Sequence, residues 1–190
     1  MKKALIVENL GANLVIRFNR PEIRSPLSIF VLAELHELLD RVLSEKQNII
    51  FTGQEDVFAS GADLREIADL TSETAREFGS YGQSLMNKIS GTNAAAAVNG
   101  FCFGGALDLA LACRKRIAVP AAQFSHPGAN LGIMTGWGGT QRLPRLVGQG
   151  VALEMFFTAK RVSAAEALKI GLIDRISINP LETALELLAE

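Results

Sequence analysis

The stretch A97-V-N-G-F-C-F-G-G-A-L-D-L-A-L-A-C113 decides how this chain is read. Ala94 to Val98 is a short apolar run of the kind that ends a buried strand. Asn99-Gly100 turns the chain, Gly104-Gly105 turns it again, and from Ala106 the residues are uninterrupted helix formers. A Gly-Gly pair at a helix start leaves backbone N–H groups with no side chain in front of them, and the helix dipole adds partial positive charge. Such a place suits a negative oxygen, whether of a bound anion or of an oxyanion formed during a reaction. Asp108 follows Gly105 by three residues, about one helical turn, so a carboxylate there points to proton transfer. The same features also serve a plain close-packing turn with a first-turn aspartate answering the dipole. The stretch by itself leaves both readings open.

Working outward, Asn48–Thr52 (NIIFT) reads as a second buried strand, with the continuous apolar character of a parallel sheet covered on both faces. It is followed by Ser60-Gly61 and by Asp63-Leu64-Arg65-Glu66, a second glycine-opened helix start with acids in its first turn. Upstream, Lys3–Val7 and Asn13–Phe18 form an expected antiparallel hairpin, and Ser28 caps a helix from Ile29 to about Ser44. Downstream of Leu64 one or two helices run to Ser90, broken and re-capped at Thr71-Ser72-Glu73. Lys115–Pro120 reads as a strand and Phe124–Gly139 as one long glycine-rich loop, a length usually tied to function. A helix is expected near Leu143–Val147, and another over 150–158. Ser163 caps a helix closed by Gly171 as its C′ residue, Leu172–Ile178 reads as a last strand, and a final amphipathic helix starts at Pro180. Strands alternating with helices predict an α/β chain with parallel pairing.

At 190 residues, 48% hydrophobic, with a formal net charge of -1, the chain has ample material for one core and no strong field. No nucleic-acid or membrane partner is expected. The N-terminus lacks the pattern of a signal peptide, and a cytoplasmic setting is expected. Cys102 and Cys113 sit on buried-looking segments and read as reduced core thiols. His36 and His126 are too far apart in sequence to argue for a metal site, and none is expected.

The segments NRPEIRSPLS (Asn19–Ser28), FASGADL (Phe58–Leu64), AVNGFCFGGALDLALAC, LGIMTGWGGTQRL (Leu131–Leu143) and TAKRVSAAEALKIGLIDRI (Thr158–Ile176) resemble the crotonase superfamily, the enoyl-CoA hydratase/isomerase family, in order and spacing over nearly the whole chain. The resemblance implies a crotonase-like spiral of ββα units over residues 1–178. Residues 179–190 would then begin a C-terminal helical trimerisation region that is largely missing. It implies an acyl-CoA thioester substrate, with coenzyme A as part of that substrate and no permanently bound cofactor. It implies a homo-oligomer, a trimer or dimer of trimers in the family, although the short C-terminus puts that assembly in question. It places two oxyanion-binding amides on Ala62 and Gly105, and Asp108 where the family has its first catalytic glutamate. It places acyl-CoA contacts on Ile23, Arg24, Ser60, Ala62, Asp63, Leu64, Arg65, Phe101 and Gly104. Arg24 suits a phosphate contact and equally a solvated loop. His126, Gly128 and Trp137 fall at the acyl pocket.

Two departures matter. The carboxylate at Asp108 is one methylene shorter than a glutamate. The family's second glutamate falls on Gly128 and is absent, which disfavours hydration by the two-glutamate mechanism. The space beside Gly128 is expected to admit a bulky acyl group, a water or a small anion, and His126 either supplies replacement acid/base chemistry or braces the loop. Trp137 reads as packing more than as pocket wall. The expected activity is that of an acyl-CoA enzyme of the hydratase/isomerase family acting through an oxyanion-stabilised enolate. The alternatives are another crotonase branch (a decarboxylase or ring-forming synthase) or a non-catalytic acyl-CoA-binding or assembly protein.

Overall fold

The computed structural model describes residues 3–45 and 47–189. The hairpin is present as β1 (Leu5–Leu10) and β2 (Asn13–Phe18), antiparallel in the register Leu5↔Phe18 to Leu10↔Asn13. A two-residue strand β3 (Pro26–Leu27) follows, then helix α1 (Ile29–Glu45), whose first turn accepts help from the Ser28 hydroxyl on the Val31 amide at 3.4 Å. From there the chain winds as a spiral. Each turn lays one strand in a large sheet and a second in a smaller one before a helix returns it. β4 (Asn48–Thr52) leads to β5 (Val57–Ala59), the short β6 (Gly61–Ala62), α2 (Leu64–Ala68) and α3 (Ser72–Ser90). β7 (Ala94–Val98) leads to β8 (Phe101–Phe103) and α4 (Gly105–Ala112). β9 (Lys115–Ala118) leads to β10 (Gln123–Ser125), α5 (Gly139–Val147) and α6 (Gln149–Thr158). β11 (Val162–Ser163), α7 (Ala164–Lys169), β12 (Arg175–Ile176) and α8 (Pro180–Ala189) complete the described chain.

The large sheet has the order β1-β2-β4-β7-β9-β12, parallel from β2 onward, and the small sheet the order β11-β10-β8-β5. Both faces of the large sheet are covered, as the unbroken apolar runs predict. One face, with Ile49, Phe51, Ala94, Ala96 and Val98, joins the main core with α1, α3 and α4. The other, with Val15, Ile50, Ala95, Ala97 and Ile117, packs against Ala184 and Leu188 of α8.

Three sequence expectations are corrected. β8 stands between the two glycine turns, which the sequence reads as consecutive bends. The presumed loop 124–139 contains β10 and a 3-10 turn over Pro127–Leu131, and α5 begins at Gly139 rather than near Leu143. The last strand is only Arg175–Ile176, because only there does it pair with β9. The first error has a clear cause. Three-residue strands in a second sheet gain their hydrogen bonds from partners far away in sequence, Phe101–Phe103 from Gln123–Ser125.

The Asn99-Gly100 turn is clamped to the turn before β5. The Asn99 side chain accepts from the Gly53 amide at 2.8 Å and donates to the Glu55 carbonyl at 2.9 Å. A Cβ on Gly100 would overlap the Asp56 backbone, whereas one on Gly79, inside α3, would meet nothing within 4 Å. Gly79→Ala is therefore expected to stabilise the chain by ~0.5–1 kcal/mol, through the lower entropy of the unfolded state and better helix propensity. Gly100→Ala is expected to destabilise it. Denaturant midpoints check both, and equal effects at the two sites would contradict this packing.

Candidate active site

The spiral brings the two glycine-opened helix starts to one place. β6 pairs with β3 in parallel register, Pro26↔Gly61 and Leu27↔Ala62, and Gly61 lies directly against the start of α4. Gly61 has φ +86°, and a Cβ there would stand 2.5 Å from the Gly105 nitrogen and 2.8 Å from the Phe103 carbonyl. Only a glycine permits that approach. The Gly105 N–H opens α4 and has no acceptor within the helix by position, and its N-cap Gly104 (φ 56°) offers no side chain.

Beside this junction lies a cavity of ≈ 240 Å³. Ser60, Ala62, Leu64, Gly104, Gly105, Asp108, His126, Gly128 and Trp137 all border it, so nine residues singled out from the sequence share one space. Its other walls are largely apolar, with Phe78, Leu131, Ile133, Met134 and Phe156 among them. Ile23, Arg24, Asp63, Arg65 and Phe101 lie outside it. Asp63 caps α2, accepting from the Arg65 amide at 3.0 Å, and its carboxylate pairs with the Arg65 guanidinium at 2.6 Å. Ile23 and Arg24 are exposed, with Arg24 in the left-handed region at φ 63°. Phe101 packs on Phe103, ring centroids 5.5 Å apart.

Asp108 is 0% exposed. Desolvation pushes its carboxyl up to about 7, held from going further by the Thr135 hydroxyl, then by the Arg142 charge and the Trp137 and Gly139 amides. The Thr135 hydroxyl donates to Asp108 Oδ2. Oδ1 makes no hydrogen bond and faces His126 Nε2 at 3.5 Å. His126 is 3% exposed, its ring 5.1 Å from that of Phe156. Neither of its nitrogens has a hydrogen-bond partner, and burial pulls it down to about 4. Around neutral pH the cavity thus holds an uncharged imidazole and a carboxyl near its midpoint.

Trp137 proves to be both wall and packing. It is 3% exposed, borders the cavity, tilts against Phe78 at 5.4 Å, and sits in a slot made by two glycines. A Cβ on Gly82 of α3 or on Gly105 would overlap its indole.

Gly128 borders the cavity, but a side chain could not start there. A Cβ at that position would overlap the Ile133 carbonyl, because the loop folds back there with the Ile133 amide bonded to the Gly128 carbonyl at 3.0 Å. No open space stands where the second glutamate would begin. Thr135 and Arg142 were given no role in the sequence reading. Nothing in local spacing places them near Asp108: Thr135 bonds it from the loop before α5, 27 residues away, and Arg142 acts on it by charge from α5, 34 residues away. Among the described residues there is no group of three His, Cys, Asp or Glu placed to hold a metal, and no helix long and apolar enough to cross a membrane.

A sequence profile of enoyl-CoA hydratase/isomerase matches residues 10–187. The chain belongs to the enoyl-CoA hydratase/isomerase family, within the crotonase superfamily. It is 39% identical over 177 residues to the crotonyl-CoA hydratase of Syntrophomonas wolfei and 37% identical to the short-chain-enoyl-CoA hydratase of Clostridium acetobutylicum. In both cases the match covers 90% of this chain and 68% of the relative. Its structure resembles the crystal structure of an enoyl-CoA hydratase from Bacillus anthracis, with TM-score 0.91 and 34% identity, over 98% of this chain and 76% of that one. It resembles DspI of Pseudomonas aeruginosa with TM-score 0.92 and 34% identity, over 99% and 80%. The crotonase spiral expected from the sequence is the fold observed.

Two predictions follow from this geometry. Because Trp137 is the chain's one tryptophan, Gly82→Ala is expected to expel the indole from its slot and shift its emission to longer wavelength. Unchanged emission would contradict the packing. Stability should also carry opposite pH slopes from the buried pair. Folding favours protonated Asp108, so that contribution is complete below about 3.8 and is lost as pH rises to about 7. Folding favours neutral His126, so that contribution is complete above about 6.5 and is lost as pH falls to about 4. Relative to the unsubstituted chain, Asp108→Asn should gain stability with rising pH across this window, and His126→Gln should lose it. Denaturant midpoints measured against pH decide, and parallel profiles would contradict the assignment.

Proposed function

We propose that this family member is an enzyme acting on an acyl-CoA thioester through an oxyanion-stabilised enolate. The single observation that supports it is the convergence of Ala62 and Gly105 on one apolar cavity with buried Asp108 beside them. In this reading the Ala62 and Gly105 amides hydrogen-bond the thioester carbonyl oxygen. As negative charge builds there, each well-aimed donor contributes about 3–4 kcal/mol to the transition state. Lowering the energy of the enolate makes a proton at Cα transferable, and Asp108 exchanges it. A carboxyl near 7 suits that task, since both its forms are populated at neutral pH. The apolar walls exclude water and leave room for a small acyl group in ≈ 240 Å³. Coenzyme A enters as the substrate's own handle, with Ile23, Arg24, Leu64 and Arg65 exposed at the outer surface beside it.

A non-catalytic acyl-CoA-binding protein is the second reading. It is favoured by the blocked position at Gly128, which denies the site a second carboxylate.

Asp108→Asn distinguishes the two. The variant is expected to lose turnover of acyl-CoA esters by about 10²–10⁴-fold while retaining their binding, measured by calorimetry with butyryl-CoA. Equal turnover by both proteins would remove Asp108 from the mechanism. Binding by the unsubstituted chain with no conversion of enoyl-, malonyl-type or β-ketoacyl-CoA would establish the second reading.

A further inference from the structure

We propose that His126 is the second proton-transferring group of this site and that it works with Asp108 as a pair, so that the chain hydrates an enoyl thioester without a second carboxylate. The inference rests on the acyl-CoA reading above and names the reaction within it.

Three observations carry it. His126 Nε2 lies 3.5 Å from Asp108 Oδ1, both groups border the cavity, and all three of Asp108 Oδ1, His126 Nδ1 and His126 Nε2 are buried without a hydrogen-bond partner. Leaving a buried polar atom unpaired is costly, so three together at one cavity wall mark a place that a polar ligand completes. A histidine bracing the loop would instead donate or accept a bond within it, and this one does neither. The Thr135 hydroxyl, by donating to Oδ2, leaves Oδ1 as the atom that carries a carboxyl proton, and Oδ1 is the atom that faces the imidazole.

The chemistry balances. A water's oxygen bonds to Cβ of the enoyl group as its proton passes to His126 Nε2. The C=C π bond opens, and negative charge moves to the thioester oxygen at the Ala62 and Gly105 amides. The Asp108 Oδ1 proton is delivered to Cα and the charge returns to re-form the carbonyl. His126 Nε2 then hands its proton to Asp108 Oδ1, across the 3.5 Å that separates them, and the site is restored. Water is added across the double bond, with nothing oxidised or reduced.

Protonation states agree with this cycle. It needs a neutral imidazole and a protonated carboxyl, which coexist from about 4 to about 7. The charged and titratable groups that couple to the pair are Arg142 of α5, whose charge draws Asp108 down while its guanidinium bonds Trp137 and Asn87, and the buried Cys102 thiol of β8, itself pushed up by burial, by Cys113 and by Asp108. From α6 the imidazole meets Phe156, which carries no charge.

The test uses the full chain and two reactions. Hydration of crotonyl-CoA requires the pair, whereas exchange of the Cα hydrogens of butyryl-CoA with D2O requires only Asp108 and the amides. His126→Gln is expected to slow hydration by about 10²–10⁴-fold, and by far more than it slows exchange. The acid limb near 4 in the hydration pH profile should vanish in this variant, and imidazole should partly restore hydration to His126→Ala. Hydration by His126→Gln at the unsubstituted rate would overturn the proposal, as would an unsubstituted chain that exchanges but does not hydrate. If neither variant folds, the unsubstituted chain's own profile decides, because the absence of an acid limb contradicts a neutral imidazole base. Failure of the unsubstituted chain to bind or exchange butyryl-CoA would instead bring down the acyl-CoA reading itself.

Discussion

The structure depends on one close approach, that of the Gly61 backbone to the start of α4. Gly61 and Gly105 come from successive turns of the spiral, and their main chains touch at a separation that no side chain survives. The contact draws β6 onto the helix N-terminus and so brings Ala62 and Gly105 to the same cavity. Neither segment achieves this alone. The strand pairing of β6 with β3 sets its height, and the β7–β8 turn, clamped through Asn99 to Gly53, sets where α4 begins. The amides are main-chain groups on strand and helix, so in the proposed reaction they would meet a developing charge without rearrangement.

Burial then makes the site chemically distinct from a turn that merely packs. An aspartate in a helix's first turn at the surface would answer the dipole and remain ionised. Here the same residue faces apolar walls, so desolvation outweighs the Thr135, Arg142, Trp137 and Gly139 contributions and the carboxyl rises to about 7. The same desolvation drives His126 the other way. One physical cause thus pushes an acid and a base toward their neutral forms within 3.5 Å of each other. Trp137, seated on Gly82 and Gly105 and tilted against Phe78, forms one apolar side of the cavity.

Much of this was legible in the sequence, for reasons that differ by element. The hairpin, α1, the break at Thr71 and the Ser163 cap announce themselves through local chemistry: alternation, helical spacing, and side-chain oxygens on first-turn amides. Ala94–Val98 has little β-propensity, yet its apolar continuity marks it as covered on both faces, and it is. The small sheet was not legible, because β8 and β10 are three residues each and are strands only by virtue of each other. At the site, glycine pairs and an aspartate one turn on gave the cavity's floor. The Thr135 hydrogen bond and the Arg142 charge felt by Asp108 were invisible, since both come from how α5 and the loop before it dock on α4. At Gly128, which borders the cavity, nothing in the sequence signalled that the Ile133 carbonyl folds against its Cα.

The most direct measurement is the carbon-13 resonance of the thioester carbonyl in butyryl-CoA labelled at that carbon and bound at saturation. Two amide donors converging from Ala62 and Gly105 must polarise that bond, so the account predicts a clear downfield displacement from the free ester. A bound carbonyl resonating where the free one does would show that the amides do not meet there, and would contradict the account.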